Sequence, residues 1–221
     1  FATGLAIMGF GFASLIAGPL MQYLVAQVGL VDTFIILGVI YLAIMGASSL
    51  YLKAPQPKQP PRTTKDKSTM YVHNHGLLAN DAMKTWQFGA LWWIFFINIT
   101  CGIGLLSLAS PMAQETIGMT PAAAASLVGI IGIFNGGGRI AWSTISDYFG
   151  RAQTYILFFI IQIIAFYVLA ETNNALTFQV LILLIITCYG GGFACMPAYL
   201  ADLYGIRQLS TICLLYTSDA A

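Results

Sequence analysis

The sequence predicts an all-α integral membrane protein with six spanning helices, and three observations carry that prediction. Of the 221 residues, 58% are apolar and only 8% are charged, whereas a soluble domain has roughly a quarter of its residues charged; mean hydropathy is +0.81. The charges are also clustered, leaving residues 1–31, 33–52, 85–114, 116–138, 152–170 and 172–201 with none. A bilayer core of about 30 Å takes about 20 residues of helix, so each of these stretches is long enough to cross. The third observation is that Lys and Arg occupy alternate connections. Lys53, Lys58, Arg62, Lys65, Lys67 and Lys84 fall between the second and third stretches, Arg139 and Arg151 between the fourth and fifth, and Arg207 after the sixth. The other connections hold Asp32, Glu115 and Glu171 and no basic residue. By the positive-inside rule the basic connections and both chain ends are cytoplasmic.

The first span runs from about Thr3 to Val28. It starts inside an apolar run with no Met, basic lead or cleavage signal, which reads as the start of a fragment. Gly4, Gly11 and Gly18 recur every seven residues and offer a face on which a neighbour packs backbone to backbone. The second span runs from about Thr33 to Leu52 and completes a first domain, residues 1–52. Residues 53–85 then read as a cytoplasmic linker, because Pro55, Pro57, Pro60 and Pro61 oppose helix and the polar run after them has little to bury. His73 and His75 in this linker are two metal ligands without a third and read as surface residues. Cys101, Cys188, Cys195 and Cys213 lack the close pairing of a metal site and read as packing residues. No metal, cofactor or nucleic-acid partner is expected; the partners are membrane lipid and a small solute.

The second domain, residues 86–211, opens with Trp86, Trp92 and Trp93 at the headgroup level of the third span. In the fourth span Ala125, Gly129, Gly132 and Gly136 make another small-residue face. The sixth span carries Gly190, Gly191 and Gly192, followed by Pro197. Three glycines and a proline weaken a helix, which predicts a bend or hinge there; the competing reading is that the glycines admit a bulky neighbour. No Lys, Arg, Asp, Glu or His falls inside a predicted span. Buried polar groups must then be amides and hydroxyls facing other helices or a wet cavity. Asn98, Tyr189 and Asn135 are the candidate substrate-binding residues, with Gln162, Thr100 and Thr187 as further intramembrane polar groups. The spans lack the nucleophile, base or metal set that an enzyme needs and the ring of charges or carbonyls that a channel needs.

The connection after the fourth span concentrates the charges. Arg139 stands near a helix C-terminus, where a cation is favourable, and Asp147, Gly150 and Arg151 form a charged turn that Asp202, Gly205 and Arg207 repeat after the sixth span. Two such turns at one depth predict a latch whose parts meet in one conformation and separate in another. Arg139, Asp147, Gly150, Arg151 and Asp202 are its candidate gating residues, with Gly190, Gly191 and Gly192 as the flexible point.

The Asp147-x-x-Gly150-Arg151 run, preceded by Gly138-Arg139, resembles the signature that major facilitator superfamily transporters carry between paired helices. Gly9-Phe10-Gly11, Gln87-Phe88, Leu91-Trp92, Ala109-Ser110-Pro111-Met112-Ala113, Phe134-Asn135-Gly136 and Cys188-Tyr189-Gly190-Gly191-Gly192-Phe193 through Met196-Pro197-Ala198 are similar to the oxalate/formate antiporter family. The resemblance implies a partial major-facilitator fold in which the six spans are helices five to ten of twelve. Helices one to four and eleven to twelve would be missing, and residues 212–221 would be a non-native tail. It also implies secondary transport of a small organic anion (oxalate, formate or another carboxylate) by alternating access, in a bacterial plasma membrane. The chain departs from the pattern at Ser143, Tyr148, Ala152 and Gln153, which thins the signature. The family's oxalate exchanger also places an Arg within its eighth helix, where this chain has only Arg139 at the predicted membrane edge. A small monocarboxylate or another organic anion stays open beside oxalate.

Overall fold

The computed structural model describes residues 2–51 and 77–218. The linker prolines, Lys53, Lys58, Arg62, Lys65, Lys67, His73 and His75 lie outside the described residues. Among the described residues the chain is entirely helical: α1 (Ala2–Val28), α2 (Leu30–Tyr51), a single turn α3 (Ala79–Ala82), α4 (Trp86–Glu115), α5 (Pro121–Phe149), α6 (Arg151–Glu171), α7 (Ala175–Tyr204) and α8 (Leu209–Ser218).

Local chemistry sets the helix ends. The Thr85 hydroxyl accepts from the Phe88 amide, the Thr120 hydroxyl from the Ala123 amide, and the Asn174 side chain from the Leu176 and Thr177 amides. Each satisfies donors that a helix start leaves unpaired. Gly150 stops α5 at φ +98° and Gly205 stops α7 at φ +79°, a region that side chains disfavour. Both glycines of the Asp-x-x-Gly turns are therefore there for the reversal itself.

Five described helices are long and apolar enough to cross a membrane: α1, α2, α4, α6 and α7. The protein is an integral, multi-pass membrane protein. The expected count of six is corrected here, because the fourth predicted span is not among the five. Its helix, α5, is the least apolar of the long helices; it carries Asn135, the Gly136–Gly138 run and Arg139 through its middle. A second correction concerns Arg139, expected at the membrane edge. It lies ten residues before the end of α5 and is only 1% exposed.

The chain divides into two compact units, residues 1–15 with 68–221, and residues 16–67. The division runs through α1. In the smaller unit Gly29, at φ +84°, joins the two helices, and the Thr33 hydroxyl donates back to its carbonyl at 2.7 Å. Apart from buried Thr33 and Leu37, α2 is mostly exposed and apolar on all sides, as suits a surface that meets lipid.

In the larger unit α7 is the central helix and packs most extensively on α5, then on α6 and α4. One apolar cluster gathers Phe95, Phe158, Tyr155, Cys195 and Leu200, and another gathers Ala109, Leu127, Phe178 and Ile182. Helices in lipid gain little from hydrophobic expulsion, so close fit has to hold them, and glycine supplies it. Gly11 of α1 meets the backbone of Gly136 on α5; Gly102 of α4 lies under the Tyr189 ring; Gly138 of α5 meets the Thr187 backbone of α7. α7 runs as one helix through Gly190–Gly192, where the sequence predicts a bend or hinge. A Cβ on Gly190 would strike the Asn135 carbonyl, on Gly191 the Trp142 side chain, and on Gly192 the Asn98 amide. These glycines admit neighbours. The residues from Cys213 onward, expected to lie outside the fold, continue α8 to Ser218. Ile212 and Tyr216 are buried there, and the Tyr216 hydroxyl donates to the Phe88 carbonyl at 2.8 Å.

Candidate functional site

Two polar constellations form in the larger unit, at different depths along α5. The first surrounds Arg139. Its Nε donates to Asn135 Oδ1 one turn earlier at 3.4 Å, and its Nη1 donates to the Ile7 carbonyl of α1 at 3.3 Å. The guanidinium lies 5.0 Å from the Phe10 ring centre and 5.3 Å from that of Phe193. Cation–π contacts of this kind stabilise a charge by about 0.5–2 kcal/mol, far less than a carboxylate would. Nη2 has no partner, and no ion pair among the described residues involves Arg139. A buried, unpaired cation is costly in a membrane.

Of the other candidate binding residues, Asn135 bonds Arg139 directly and Tyr189 packs on the Phe193 ring that faces it. Asn135 is 8% exposed and its carbonyl faces Gly190. Tyr189, 5% exposed, sets its ring edge-on to Phe193 with centroids 5.3 Å apart. Asn98 is fully buried against Gly192, and neither end of its amide has a partner. Gln162 on α6 is likewise buried with both amide atoms unpaired. Thr100 and Thr187 are spent locally, donating to Phe96 and Leu184 carbonyls. Phe10, Ile7 and Phe193 had no functional reading in the sequence. The only signal for them was their place in glycine-flanked runs, Gly9-Phe10-Gly11 and Gly192-Phe193.

The second constellation lies about 12 Å further along α5, eight residues on at 1.5 Å each. Arg151 at the start of α6 pairs with Asp147 at the end of α5 at 2.7 Å and with Asp202 at the end of α7 at 3.1 Å. It also donates to the Ser146 hydroxyl at 3.0 Å. Three helix ends thus converge on one guanidinium. Asp147 and Asp202 are 38% and 55% exposed, so water screens the network and each bridge contributes about 0.2–1 kcal/mol. Gly150 shapes the turn, and its carbonyl accepts from the Thr154 hydroxyl at 2.7 Å. Arg139, grouped with these charges by sequence, does not join them.

The described residues contain no group of three His, Cys, Asp or Glu side chains that could hold a metal ion. Cys101, Cys188, Cys195 and Cys213 form no disulfide with one another, and Cys195 donates to the Trp142 carbonyl at 3.6 Å.

Against this geometry, the sequence model described as the Major Facilitator Superfamily matches residues 1–217. The chain is 26% identical over 209 residues to the "Uncharacterized MFS-type transporter YhjX" of Escherichia coli (strain K12), covering 94% of this chain and 50% of that protein. It is 24% identical over 207 residues to the "Oxalate:formate antiporter" of Oxalobacter formigenes, covering 92% of this chain and 48% of that protein. The chain spans about half the length of these curated relatives. The reading of the spans as helices five to ten, with the pattern ending before residue 212 and helices one to four and eleven to twelve missing, is corrected in its numbering: the match takes in residues 1–217 continuously, including α8. The likeness to the oxalate/formate antiporter remains a weak one at that identity. The superfamily is one of transporters, not enzymes. A family match over almost the entire sequence, on a bundle of apolar helices closed by glycine contacts, establishes that the chain belongs to the Major Facilitator Superfamily.

Proposed function

We propose that the protein carries a small organic anion across the membrane by alternating access, with Arg139 as the group that receives the anion. The observation that supports this most is the buried guanidinium whose Nη2 is unpaired while Nε and Nη1 are held by Asn135 and Ile7. A guanidinium fork matches a carboxylate's two oxygens. Asn98 and Tyr189, with amide and ring beside Gly192 and Phe193, complete the lining. The likeness to a relative named as an oxalate:formate antiporter agrees with an anionic cargo. A neutral solute is the alternative. Counterflow in proteoliposomes of the full-length protein separates them: labelled formate, acetate or oxalate should exchange saturably, and a neutral sugar or amide exchanging as well as any of these would sink the anion reading.

The Asp147–Arg151–Asp202 cluster is the proposed latch. It joins helix ends and leaves the anion site alone, so Asp147→Asn should lower the maximal exchange rate about two- to fivefold, as loss of up to ~1 kcal/mol implies, with the half-saturating concentration little changed. Equal change in both would assign Asp147 to binding. We place residues 53–85 on the cytoplasmic side of a bacterial plasma membrane, from their concentration of Lys and Arg. A Lys65→Cys variant should resist a membrane-impermeant maleimide in intact cells and react after permeabilisation; labelling of intact cells would invert the topology.

A further inference from the structure

The anion site borders a separate cavity of about 230 Å³. Its walls are Ile7, Phe95, Phe193, Met196, Leu200 and Tyr216, with Pro197 and Cys213 at its edge. Two of these, Ile7 and Phe193, are the residues that also contact the Arg139 guanidinium. The walls offer almost nothing polar. The Tyr216 hydroxyl is already committed to the Phe88 carbonyl, and Phe95 closes edge-on against Phe193 at 5.1 Å. The two larger hollows, of about 470 and 400 Å³, are open grooves lined by apolar residues without a charge. The smaller cavity is the one that adjoins the buried cation.

We infer that the cargo is a carboxylate bearing a compact apolar group, its carboxylate on Arg139 and its apolar end in this cavity. The inference rests on the anion reading of Arg139 and adds a constraint of shape to it. An apolar cavity of about 150 Å³ stays dry and accepts benzene, so this larger one has room for a ring of that size. Water entering it would find too few partners to be held.

The test uses the purified full-length protein at pH 7.5, where every acid in the series is ionised, and calorimetric titration with acetate, butyrate, hexanoate, benzoate, oxalate and the uncharged benzamide. Affinity should rise about fourfold per methylene from acetate to butyrate, the equivalent of ~0.8 kcal/mol for each buried CH₂. Benzoate should exceed acetate by more than tenfold, oxalate, which has no apolar end, should bind more weakly than benzoate, and benzamide should not bind. Leu200→Phe, which fills the cavity, should remove the advantage of the longer acids; where that variant fails to fold, the series on the unsubstituted protein decides alone. A flat series, or oxalate binding tighter than benzoate, overturns this inference and leaves the anion reading standing. Benzamide binding as well as benzoate overturns both.

Discussion

Arg139→Met should abolish anion exchange while leaving the protein at least as resistant to heat as before. The two halves of this outcome come from one fact, that the guanidinium is buried without a carboxylate. Its cost to the fold is the desolvation of a charge, offset only by hydrogen bonds at 3.3 and 3.4 Å and two aromatic faces. Replacing buried ionic groups by apolar residues of similar volume is neutral or stabilising, often by about 1–4 kcal/mol. Against that, Asn135 Oδ1 and the Ile7 carbonyl each lose a donor, at about 1 kcal/mol apiece. The net is close to zero or favourable. For the anion there is no such compensation, because truncating one partner of a desolvated charge pair costs about 2–5 kcal/mol, which is at least roughly 30-fold in affinity. Arg139→Lys should fall between, keeping the charge but losing the planar fork. The two measurements are a melting temperature in detergent and counterflow in proteoliposomes. A large fall in melting temperature with exchange retained would make Arg139 a structural residue and remove the basis for the carrier site.

That same residue shows where sequence stops being legible. The helices could be read because lipid demands long uncharged runs, and their ends could be read at Gly150 and Gly205, which both carry the positive φ that a reversal needs. The meeting of Asp147, Arg151 and Asp202 was also readable, since both Asp-x-x-Gly turns end helices on the same side. Arg139 was not. A cation eight residues before Asp147 looks like one more member of the charged turn, and only the approach of α1, bringing Ile7 and Phe10 over it, makes it interior. The residues that build the centre, Asn135, Gly136–Gly138 and Arg139, are also the least apolar part of α5, itself the least apolar of the long helices. The glycines of α7 were ambiguous for a different reason. A glycine in a sequence signals missing volume, and whether that volume is empty or filled depends on the neighbouring helix.

Filled volume makes Gly190→Val the substitution expected to harm folding most. The α5–α7 contact is interlocked from both sides: Gly190 of α7 faces the Asn135 backbone carbonyl, and Gly138 of α5 faces the Thr187 backbone, with Cβ positions there falling within 3 Å of main-chain atoms. A flexible side chain could turn aside, but a helix backbone can yield only by moving the whole helix. Overpacking typically costs about 1–3 kcal/mol and more where nothing can shift. Here the displaced pair is the central contact of the larger unit, and separating it would also pull Phe193 of α7 from Arg139 of α5. Gly190→Val and Gly138→Val should therefore each yield little monodisperse protein by size exclusion and a strongly lowered melting temperature. Gly137→Ala is the control one residue away: a Cβ there meets nothing within 4 Å, and alanine favours helix over glycine by about 1 kcal/mol. It should be tolerated or stabilising. If Gly190→Val and Gly137→Ala purified equally well, α7 would have to adapt at Gly190–Gly192 without loss, and these glycines would be the hinge that the sequence suggested.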